Sequence, residues 1–146
     1  MKPIVRSYLA EVNLGTTAPS NGQNINIQDY PQLRDVIITG VEVFSSNIVA
    51  VSPQGKAVVT TLSGITLTLM DKFNMEMLYQ YPAADLNPVN VAGFYRDIVP
   101  FELQLTKSYI SVLSNTNLLA NQSVCLNFFY VPKKDWKKYA ALYVRK

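Results

Sequence analysis

The chain contains no histidine. That removes the commonest general base, a member of most hydrolytic triads and the most frequent zinc ligand together. It contains one cysteine, Cys125, so an internal disulfide is excluded, and a thiol without an imidazole lacks the base that would activate it. Charged side chains make up 16% of residues, against about 25% in an ordinary soluble domain. The ten carboxylates are spread along the chain in no dense oxygen-ligand spacing, and there is no Gly-rich phosphate loop. Glu42 and Glu102 lie on predicted strands and read as solvent-facing residues rather than a glycosidase pair. No run of about 20 apolar residues is long enough for a membrane span, and Met1–Arg6 has charge but no apolar signal segment behind it. The expectation is a non-enzymatic protein without cofactor, metal or membrane span, made outside the secretory route.

What is present is apolar and extended. Hydrophobic residues are 49% of the 146, enough for a single domain, 1–146, that buries about two thirds of its unfolded surface. With so little charge, amide, hydroxyl and tyrosine groups must cover much of the exterior. Such a surface suits fixed contacts with partners, which points to a subunit of an assembly.

The strongest strand is Ser123–Pro132. Val124, Leu126, Phe128 and Tyr130 fall on one face; Cys125, Asn127, Phe129 and Val131 fall on the other. A strand apolar on both sides is expected at the centre of a sheet, covered on both faces, with Cys125 as a small buried hydrophobe. Pro132 ends it. Ile4–Asn13 alternates as a strand, and Gly15–Asn24 reads as a turn-rich connector. The first stretch is therefore an arm that pairs either with its own sheet or with a neighbour's. Asp35–Phe44 is a second clear strand in which Gly40 marks a bulge or a close backbone approach. Ala57–Leu62 and Ile65–Asp71 are expected strands, the latter with Ile65, Leu67 and Leu69 inward and Thr66 and Thr68 outward. Phe73–Tyr81 is ambiguous and is assigned as strand on the apolar face Phe73, Met75, Met77, Tyr79 and Tyr81. Pro82–Phe94 is a long loop, Tyr95–Thr106 a strand that Pro100 places at an edge or bulge, and Ser108–Val112 a short strand.

Many short strands between Gly, Pro, Asn and Ser turns, with no long helix, predict an all-β antiparallel sandwich. A jelly roll is preferred and an immunoglobulin-like sandwich is the alternative. Residues 1–28 form the N-terminal strand and connector, 29–132 the core, and 133–146 a tail. The tail holds six of the thirteen basic residues. Lys133, Lys134, Lys137 and Lys138 surround Trp136, Tyr139 and Tyr143, which share a face at helical spacing; a last strand over Tyr139–Val144 is the other option. Three readings stay open for it: aromatics packed back on the same domain, an anchor in a neighbouring subunit, or lysines on phosphates with aromatics stacked on bases. Arg34-Asp35 and Arg96-Asp97 are expected local ion pairs, worth little.

The segments Ile98-Val99-Pro100-Phe101-Glu102-Leu103, Lys107-Ser108-Tyr109-Ile110 and Ser123–Tyr130 resemble the small jelly-roll structural proteins of bacteriophage virions. Penton and minor capsid proteins of tailless icosahedral phages are the nearest type. The resemblance spans residues 33–132 as a style of strand and turn, and it offers no family residue to transfer. It implies a virion location and a homo-oligomer, for a penton a pentamer, in contact with other capsid proteins. A carbohydrate- or receptor-binding sandwich is the alternative function, with Tyr79, Tyr81, Phe94 and Tyr95 as a stacking platform around the long loop.

Overall fold

The computed structural model describes residues 6–17, 19–45, 60–87, 96–115, 118 and 122–144. Eight strands and one α-helix are found among them: β1 (Arg6–Asn13), β2 (Asn24–Asn26), β3 (Val36–Ser45), β4 (Ile65–Met70), β5 (Glu76–Pro82), β6 (Arg96–Glu102), β7 (Tyr109–Val112), β8 (Ser123–Pro132) and α1 (Trp136–Val144). They form two four-stranded antiparallel sheets, in the orders β1-β8-β3-β6 and β2-β7-β4-β5. The predicted all-β antiparallel sandwich is the architecture.

The pairings follow one rule. β1 pairs with β8, β2 with β7, β3 with β6 and β4 with β5, so the chain runs out and back as one long antiparallel hairpin. The further pairings β3 with β8 and β4 with β7 close that hairpin into two sheets. Between the sheets lie Ala10 and Val12, Val41 and Val43, and Val124, Leu126 and Phe128 from the first, with Ile65, Leu67, Leu69, Ile110 and Val112 from the second, all buried. Alternation in the strands thus supplies the core, the dominant favourable contribution to folding.

β8 is central, as its sequence predicts, but its outer face is only partly covered. Cys125, Asn127 and Phe129 on the outer face are half-buried, because β1 beside them is an edge strand whose Leu9 and Glu11 stand in solvent. Cys125 is therefore a half-buried thiol rather than a core residue; burial, and then the Glu11 charge, push its pKa up. The N-terminal stretch pairs with the chain's own β8 in continuous register from Arg6–Tyr130 to Asn13–Ser123. The register of β3 shifts between Ile38 and Gly40, so a bulge lies where Gly40 marks one. The extra residue, Thr39, donates its hydroxyl to the Phe129 carbonyl at 3.3 Å. β6 is the other edge of this sheet, where the missing N–H of Pro100 costs least.

Several expectations are corrected. The connector 15–24 is followed by a three-residue strand, β2, held on β7 by Asn24–Ser111, Ile25–Ile110 and Asn26–Tyr109. Thr60–Gly64 is a 3₁₀ turn rather than the end of a strand; residues 57–59, like 46–56, lie outside those described. Thr66 and Thr68 are buried, not outward in solvent. They sit in cross-strand rows with Ser111 and Tyr109 of β7, where short side chains are shielded by their neighbours. Glu42 is also buried and accepts a 3.1 Å hydrogen bond from Asn127 Nδ2. β5 begins only at Glu76, and the supposed apolar face is largely in solvent, with Phe73 81%, Met75 62% and Tyr79 57% exposed. The cause is Asp71, whose carboxylate accepts from the amides of Phe73 and Met75, both at 2.8 Å, and folds this stretch into a turn. Farther on, bulges in the β4–β5 pairing and Gln80 at φ 46° break the alternation. The tail is a helix over Trp136–Val144, not a strand.

Candidate functional site

The out-and-back path sorts the connections between two ends of the sandwich. At one end 14–23 and 113–122 meet: Leu14 N–H donates to the Gln122 carbonyl at 2.8 Å, and Asn115 Nδ2 to the Pro19 carbonyl at 2.9 Å. Neither connection contains a charged residue. At the other end gather residues 27–35, 71–75, 103–108 and the start of the tail. Lys133 N–H donates to the Asp35 carbonyl at 2.9 Å, Lys72 N–H to Glu102 at 3.1 Å, and Gln104 N–H to Met70 at 2.9 Å. Tyr30 anchors the first of these connections, its hydroxyl 2.8 Å from the Glu11 carbonyl and its ring centroid 5.5 Å from that of Tyr8.

The acidic groups of this end are mostly engaged within the fold. Glu102 bridges Lys133 Nζ at 3.0 Å and Lys72 Nζ at 3.3 Å. Burial acts to raise the Glu102 pKa, but the hydrogen bonds from the two lysines overcome it and hold the carboxyl below its ordinary value. The Lys133 pKa is raised, chiefly by its hydrogen bond to Glu102. Arg34 pairs with Asp29, not with the adjacent Asp35, which takes a left-handed backbone, φ 54°, at the entry to β3. The Arg34 hydrogen bond is the main cause that lowers the Asp29 pKa. Asp71 is occupied with the turn amides.

Between the starts of β1 and β3, where β8 runs out into the tail, lies a groove of about 770 Å³. Arg6, Arg34, Lys133, Lys134 and Lys137 line it together with Tyr130, Val36, Pro132, Gln32 and a single carboxylate, Asp35. The register explains the meeting: Arg6 lies opposite Tyr130, and Val36 opposite Pro132. Among the described residues no carboxylate is within ion-pair distance of Arg6, Lys134 or Lys137. The groove is an electropositive trough, suited to holding an anion by charge and hydrogen bonding. A neighbouring depression of about 290 Å³ is lined by Asp29, Arg34, Lys72 and Glu102, whose charges are already paired with each other and with Lys133.

Of the residues singled out in the sequence, Lys133, Lys134 and Lys137 converge on the groove, while Lys138 lies on exposed helix surface and does not line it. Trp136 and Tyr139 are half-buried on α1, which packs near β6 of its own sheet. Tyr143 belongs to the backbone of α1, but its side chain, like Phe94 and Tyr95, lies outside the described residues. Tyr79 is exposed, whereas Tyr81 packs against the core, so these two differ in their availability to a ligand. Arg6 and Arg34 were not singled out as site residues; they are over 90 positions from the tail in sequence and reach it only through strand pairing. No group of three His, Cys, Asp or Glu side chains among the described residues is placed to hold a metal ion. No described helix is long and apolar enough to cross a membrane. Comparison with family models, with curated proteins and with solved structures returned no match.

Proposed function

We propose that this chain is a non-enzymatic structural subunit of a virion, a penton or minor capsid protein of the phage type that self-assembles and contacts other capsid proteins. The carrying observation is the strand order, in which each strand pairs with its counterpart from the other end of the chain. That order supports a jelly roll, an eight-stranded double-sheet design used by viral capsid proteins and also by lectins and cupins. Fold alone does not assign function. Two connections without charge that meet at one end, 14–23 and 113–122, give the capsid reading its support: a subunit interface can bury amide and hydroxyl groups with partners, but burying unpaired charge is costly.

The test is the molecular mass in solution, by light scattering at rising concentration, and the copy number in purified particles. A ring, a pentamer in the penton case, supports the reading. A monodisperse monomer that stays monomeric when mixed with the other virion proteins overturns it. Glycan-array binding that Tyr79→Ala abolishes would favour the carbohydrate-binding module instead.

A further inference from the structure

We infer that the groove between Arg6, Arg34 and the tail lysines takes the phosphate backbone of a single-stranded nucleic acid. Three features carry this. The cations come from three separate segments of the chain, the first residue of β1, the turn ahead of β3 and the stretch after β8, and strand pairing assembles them into one trough instead of leaving them scattered. Arg6, Lys134 and Lys137 have no carboxylate partner among the described residues, so their charge is available to a ligand. Tyr130 packs in part against the core, but its half-exposed side lines the same trough and offers an aromatic surface for a base. An acidic peptide would use the lysines but has no use for that ring; a base from an unpaired strand uses both. A duplex keeps its bases stacked, which is why a single strand fits better.

The inference does not depend on a capsid role. A soluble oligomer that never assembles into particles can still bind nucleic acid, and a capsid subunit can lack this site, so the two readings fail separately.

The experiment is fluorescence anisotropy of a labelled oligothymidylate titrated with the purified full chain. With three free cations each neutralising one phosphate, log K falls with log salt at a slope of about −2, so affinity drops about twenty-fold between about 50 and about 200 mM salt. Lys134→Ala with Lys137→Ala should weaken binding at least about tenfold, since two of the three contacts go. Lys107→Ala with Lys138→Ala removes the same net charge at exposed positions outside the groove and should leave affinity within about twofold. All four lysines are exposed, and melting curves of both double variants check that each remains folded; the pair Lys134→Gln with Lys137→Gln repeats the test if the alanine variant does not. Absence of binding at low salt overturns the proposal. So does equal loss in the two double variants, which would mean diffuse charge rather than a site. Polyglutamate competing as well as the oligothymidylate would overturn the nucleic-acid assignment by showing that any polyanion suffices.

Discussion

Thr66 and Thr68 lie two residues apart on β4, and both are buried, at 4% and 1% exposure. Their hydroxyls have opposite fates. Thr68 Oγ1 accepts a 3.0 Å hydrogen bond from the amide of Gln80, the residue that β5 carries at φ 46°. Thr66 Oγ1 has no hydrogen-bond partner, and its cross-strand neighbour Ser111 turns its own hydroxyl to Asn24 Oδ1 at 2.8 Å. Valine has nearly the same shape and the same β-branched preference for a strand, so replacing either threonine isolates the hydroxyl. An unpaired buried hydroxyl costs about 1–3 kcal/mol on mutational scales, and Thr66→Val should therefore stabilise the fold by about 1 kcal/mol. Thr68→Val removes a bond worth about 0.5–1.5 kcal/mol net, and it withdraws support from a strained backbone position. It should destabilise by about 1 kcal/mol or slightly more. The two variants then differ by about 2 kcal/mol, or by roughly 6 °C in melting temperature for a chain of this size. Urea melts at one fixed protein concentration are the assay, with an unchanged m-value required so that a shifted midpoint reports stability alone. If Thr66→Val loses as much stability as Thr68→Val, the reasoning from hydrogen-bond partners is wrong.

Other perturbations test separate parts of the fold. A Cβ on Gly64 would stand 2.2 Å from the Ser114 carbonyl oxygen, so Gly64→Ala should cost about 2–3 kcal/mol through forced backbone movement; a melting temperature within error of the parent would contradict that contact. A chain ending at Pro132 should keep its far-UV β signature but melt earlier, because the Lys133 bonds to Asp35 and Glu102 and the helix beside β6 go together; an unchanged melt would mean that α1 adds nothing to the fold. The Glu102 pKa is depressed in the folded protein, so its contribution is present above its ordinary value of 4.5 and is lost as pH falls below that through the folded pKa. Glu102→Gln should accordingly flatten the acid side of the stability profile, and a profile parallel to that of the parent below pH 4.5 would refute the assignment. Thr17→Lys places a charge on an exposed site of the charge-free connection 14–23; it should leave the melt unchanged and prevent oligomer formation, whereas normal assembly would exclude that connection from the interface.

The parts of the fold legible in the sequence are those where side-chain alternation and backbone chemistry agree. β8 could be placed at a sheet centre because both of its faces are apolar, and the bulge beside Gly40 because glycine inside a strand has few other uses. Agreement failed where a local polar interaction outweighed the pattern. Phe73 and Met75 keep the alternation of a strand, yet two amides captured by the Asp71 carboxylate decide the backbone. Asn24–Asn26 holds one apolar residue between two asparagines and exists as a strand only through β7. Thr66 and Thr68 look outward by parity, but parity says nothing about how deeply neighbouring rows shield them. The site divides in the same way. The lysine cluster after Pro132 is contiguous in sequence and was visible, while Arg6 and Arg34 reach it only because β8 returns between β1 and β3.

That return is also what makes the two ends chemically independent. In an out-and-back chain of eight strands, successive connections fall alternately at opposite ends, so composition can be set separately for each end without touching the core. Here the connections 14–23 and 113–122 have no charge, while the other end gathers Arg6, Arg34, Lys72 and the tail lysines together with Asp29, Asp71 and Glu102. Desolvating an unpaired charge at an interface is costly, and a hydrogen-bonded amide far less so. A subunit contact formed by these two connections would leave the electropositive groove facing away from the neighbour. Assembly and anion binding would then use opposite ends of one small sandwich, and each could be abolished by substitutions that leave the other intact.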